Sequence, residues 1–89
     1  MKALSSNRDL YEYLLLLAPM LKQRGATALS EDVQFASRLA STIPATEFLG
    51  ESRIALRRVL DEENGILNAQ ERTDLCDVLR QLDSAFNRP

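Results

Sequence analysis

Histidine is absent from this chain, and with it the side chain most often used as a general base or metal ligand near neutral pH. Serine–histidine and cysteine–histidine nucleophile pairs are therefore excluded. The single cysteine, Cys76, has no partner for an intramolecular disulfide, so the fold must stand without that staple, and a reducing, cytoplasmic setting is the simpler expectation. Cys76 follows the stripe position Leu75 and is expected to be a small, half-buried packing residue.

Period-two alternation is also missing beyond a few residues, and β-branched residues are scattered, so no strand pattern competes for the chain. The longest uncharged stretch, Tyr13 to Leu21, is roughly half of the about 20 residues that a bilayer-crossing helix needs. Lys2 is the only positive charge ahead of Leu4, and no small-residue cleavage site follows a compact apolar segment, so no secretory signal is expected. Neither charge sign dominates: 11 Lys and Arg stand against 13 Asp and Glu, a net charge of -2, which supplies no global attraction to phosphate or anionic lipid.

What is present is a foldable composition, 45% hydrophobic and 27% charged over 89 residues, enough for one small domain, 1–89. Four helical patterns fill it, over about 7–24, 27–41, 44–64 and 69–86. In the first, Ser6 is a cap, Leu10, Leu14, Leu17 and Leu21 make a core-facing stripe, and Gly25 is a left-handed stop. Pro19 removes a backbone bond, so a kink or a break near it is expected. The second carries Leu29, Val33, Ala36 and Ala40, with Phe35 and Leu39 alongside. Pro44 fits the first turn of the third, whose face holds Leu49, Ser52, Leu56 and Val59, flanked by Phe48 and Leu60, before Asn64-Gly65 ends it. Asn68 and Glu71 have the spacing of a reciprocal cap for the fourth, which bears Leu75, Val78, Leu79, Leu82 and Phe86. Short connections favour antiparallel neighbours, so the expected fold is all-α, a compact four-helix bundle-like domain with its first helix kinked near Pro19.

Sites for chemistry are sparse. LDEENGILNAQE, residues 60–71, places Gly65, Leu67 and Glu71 where a calcium loop of the EF-hand type has its glycine, apolar residue and bidentate acid. Leu60 stands where such a loop requires a carboxylate, however, and helix ending and capping account for the same residues. Asp61, Glu62 and Glu63 are expected on a solvated face, eased by Arg57–Asp61 and Arg58–Glu62 pairs. A carboxylate-bridged metal centre needs Glu-x-x-His partners that the chain lacks. No metal, cofactor or catalytic residue is assigned.

Arg53, Arg57 and Arg58 are the candidate basic patch. A helix-turn-helix over 33–49 fits poorly, because Thr46 falls at a core position and Pro44, Thr46 and Glu47 open the would-be reading helix. DNA binding is therefore the weaker of the functional expectations. The stronger one comes from the first helix, where Tyr13, Leu16 and Met20, joined by Tyr11, form apolar surface beyond the core stripe. So wide an arc points to a homodimer or another protein as the expected partner, the alternative being a monomer in which the second and fourth helices clasp the first from both sides; the expected role is a non-catalytic interaction module.

Overall fold

A computed structural model describes residues 6–86, with the Phe86 side chain outside that description; the leader-peptide expectation at Met1 to Ser5 and the place of Phe86 on its stripe therefore fall outside the described residues. Helices follow one another as α1 (Asn7–Gln23), α2 (Thr27–Arg38), a 3-10 turn (Leu39–Ser41), α3 (Ala45–Glu62) and α4 (Ala69–Phe86). Each helix packs chiefly on the next in sequence, α1 on α2, α2 on α3 and α3 on α4. The all-α, four-helix, bundle-like architecture is thus present. None of the helices among the described residues is long and apolar enough to cross a membrane.

The connections are set by local chemistry. Gly25, at φ 88°, ends α1 in a Schellman motif: Ala26 N–H donates to the Leu21 carbonyl at 2.9 Å and Gly25 N–H to that of Lys22 at 3.1 Å. Asn64 and Gly65 both take positive φ after α3, which turns the chain sharply toward α4. Between α1 and α2, the buried Ser30 hydroxyl donates to the Ala18 carbonyl at 2.6 Å, and these two small residues let the helices approach closely.

One core gathers Leu10, Leu14, Leu17 and Leu21 of α1, Leu29, Val33 and Ala36 of α2, Phe48, Leu56 and Val59 of α3, and Leu75, Val78, Leu79 and Leu82 of α4. Several boundaries and side chains differ from expectation. Of the kink or break expected at Pro19, the break does not occur: α1 runs on through it. The carbonyl that loses its partner belongs to Leu15, and Pro19 and Leu15 both lie on the solvent side, where water can satisfy it. α2 tightens into a 3-10 turn after Arg38 instead of continuing to Ser41. Pro44, with ψ 151°, precedes the first turn of α3 as its cap instead of lying within it. Phe35, expected beside the α2 core stripe, is exposed.

Candidate functional site

Two turns connect distant parts of the chain to the start of α4. Asn68 Oδ1 accepts from Glu71 N–H at 2.8 Å while Glu71 Oε1 accepts from Asn68 N–H at 2.9 Å, which completes the reciprocal cap. Arg24, just past α1, donates from two nitrogens to the same Glu71 carboxylate at 2.5 and 2.9 Å, and also to the Ile66 carbonyl at 3.1 Å. The Arg24 hydrogen bonds, followed by the Asn68 N–H, hold the Glu71 carboxyl below the usual carboxylate range. Glu71 is therefore committed to fold architecture, as are Gly65 in the turn and Leu67 in the core.

Glu63 corrects the expectation of a solvated acidic face. Its side chain is only 4% exposed; it accepts from Gly65 N–H at 2.9 Å and from an Arg72 nitrogen at 3.0 Å. Burial alone would raise this carboxyl, but the Arg72 and Gly65 hydrogen bonds outweigh it and hold the group below its ordinary value. Glu62 does pair with Arg58 as expected, at 2.8 Å, whereas Arg57 turns away from Asp61 toward Asp83 of α4.

The basic patch is internally compensated. Arg53 and Arg57 both bind Asp83, at 2.5 and 3.3 Å, and Arg58 bridges Asp32 of α2 and Glu62. Each of these arginines thus tethers helices with the charge that a phosphate contact would use. Cys76 is half-buried.

The α1 residues are arranged differently from a single face. Tyr13, Leu16 and Met20 come together with Leu17 on one wall of a cleft of about 280 Å³ whose opposite wall carries Glu71 and Asp74 of α4. Tyr13 and Met20 are only partly exposed and rest against the core, while Leu16 is 76% exposed at the lip. Burial, then the negative charge of Asp74, pushes the Tyr13 phenol well above its ordinary value. Tyr11 lies elsewhere: two residues from Tyr13 is a rotation of about 200° around a helix, and Tyr11 lines an open groove with Leu15, Ser37, Arg38 and Ala40.

Between the two flanks lies an outward strip that was not singled out from the sequence. Leu15, 45% exposed, and Pro19 stand on it beside Leu16, and no charge interrupts it from Tyr13 to Leu21. The uncharged run itself was the available signal; which half of it faced outward required the packing. Among the described residues no group of His, Cys, Asp and Glu is placed to hold a metal ion.

No protein-family model matches the chain, and comparison with curated proteins and with solved structures found no match.

Proposed function

We propose that this chain is a non-catalytic helical module that works by associating with a protein surface through the outward side of α1, with a second copy of itself as the partner of first choice. The observation that carries this reading is the exposure of Leu16, 76%, beside exposed Leu15 and Pro19 on a strip free of charge. Scattered surface leucines are ordinary, but neighbouring uncharged side chains on one helix form a patch, and water is released when such a patch is covered. The compensated arginines give a nucleic-acid role no comparable support.

The test is mass in solution by sedimentation equilibrium across the micromolar to millimolar range. Wild type is expected to show a concentration-dependent dimer, and Leu16→Glu to remain monomeric with unchanged helix content by circular dichroism. A wild-type chain that stays monomeric throughout that range would remove the self-association reading.

A further inference from the structure

The charges that bound the uncharged strip of α1 are of opposite sign: Glu12 precedes Tyr13 and Lys22 follows Leu21. Both are exposed, and the midpoint of the run falls at the level of Leu17, one residue from Leu16, the most exposed large apolar side chain among the described residues. A strip with this pattern is self-complementary in only one direction. Laid antiparallel on a second copy, with residue i opposite 34−i, it superimposes the two apolar runs completely and sets Glu12 of each chain opposite Lys22 of the other. Laid parallel, it sets Glu12 against Glu12 and Lys22 against Lys22.

We infer that α1 pairs antiparallel with α1 of a second copy across a two-fold axis at the level of Leu17, closed at both ends by Glu12–Lys22 contacts between chains. This rests on the self-association reading above and adds the partner's orientation and register. A two-fold interface repeats every contact, so one favourable charge pair appears twice. Antiparallel α1 helices also align their dipoles favourably. Leu16 of the two chains lies within two residues of level, about 3 Å along the axis, so these side chains meet at the centre. Leu15 comes opposite Pro19, whose ring adds apolar surface and no N–H that would need a partner. Glu12 already accepts from Arg8 at 3.2 Å, but that pair is strongly exposed on both sides and engages a single carboxylate oxygen.

Within one chain Glu12 and Lys22 are ten residues apart, about 15 Å along the helix, and cannot pair with each other. This makes charge reversal decisive. Dimer dissociation constants of wild type, Glu12→Lys, Lys22→Glu and the double variant are measured by sedimentation equilibrium at low salt, with helix content checked for each. Each single reversal is expected to weaken the dimer about tenfold, because two attractive contacts become repulsive, and the double variant to return to within about threefold of wild type. Singles that match wild type, or a double variant no better than the singles, overturn the antiparallel pairing while leaving self-association in place. A wild-type monomer overturns both.

Discussion

Arg24 and Glu71, 47 residues apart in sequence, are joined by two parallel N–H···O bonds at 2.5 and 2.9 Å. The same carboxylate caps α4 through Asn68 N–H, so one acidic side chain fixes where α4 begins and where the end of α1 lies against it. Replacing Asn68 by Ala removes the other half of the reciprocal cap. A loss of about 1 kcal/mol is expected in urea unfolding, with amide exchange increasing first in the opening turn of α4.

Acid sensitivity follows from the same carboxylate and from Glu63. Both have folded-state pKa values below the ordinary carboxylate value of about 4.3. Their contribution is fully present above that value and is lost as pH falls through the lower folded-state values, because the unfolded chain takes up protons first. Unfolding midpoints followed from neutral pH downward should therefore drop in the acid range, and less steeply in Glu71→Gln, whose intrinsic stability is lower but which no longer titrates.

Arg72→Ala is a stricter test of the turn between α3 and α4. It leaves the Glu63 carboxylate buried with only backbone donors, and a destabilisation of about 1 to 3 kcal/mol is expected. The double variant Glu63→Gln/Arg72→Ala should be less destabilised than the sum of its single changes, since the buried charge has gone. Additive losses would show that the pair is not coupled.

At high pH Tyr13 contributes a dependence of its own. Its phenol is held above the ordinary value by burial and by Asp74, so above about pH 10 the unfolded chain loses a proton that the folded chain keeps. The Tyr13 contribution is thus fully present below about pH 10 and declines as pH rises beyond it. Tyr13→Phe should flatten that decline, as read from urea midpoints.

Ser52 has 0% exposure, and its hydroxyl has no hydrogen-bond partner among the described residues. A buried hydroxyl without a partner costs about 1 to 3 kcal/mol, whereas a methyl group in its place does not. Ser52→Ala is expected to raise the unfolding free energy by about 1 kcal/mol. A loss of similar size would show that the hydroxyl does have a partner in solution.

Leu14 and Leu16 are two residues apart on α1, and the first is fully buried while the second is 76% exposed. Leu14→Ala should cost about 3 kcal/mol through lost burial and a residual cavity, a large share of the stability of so small a domain. Leu16→Ala should leave the unfolding of the isolated chain within about 0.5 kcal/mol of wild type. Chemical denaturation at low protein concentration separates the two.

Helix number, approximate limits and most of the core were determined by local signals, because each is read over a few residues. Leucines at helical spacing mark a face, Gly25 and Asn64-Gly65 supply the positive φ that ends a helix, and the Asn68–Glu71 spacing is a cap in itself. The tertiary structure alone decided which apolar and charged side chains meet. Tyr11 parts from Tyr13 by helix rotation, Phe35 is left outside the core, Glu63 goes inward to Arg72, and Arg53, Arg57 and Arg58 are drawn onto carboxylates of α2, α3 and α4. Periodicity gives the direction of a side chain relative to its own helix axis. Its environment depends on how neighbouring helices are rotated and spaced, and those quantities are fixed by the packing of the whole chain.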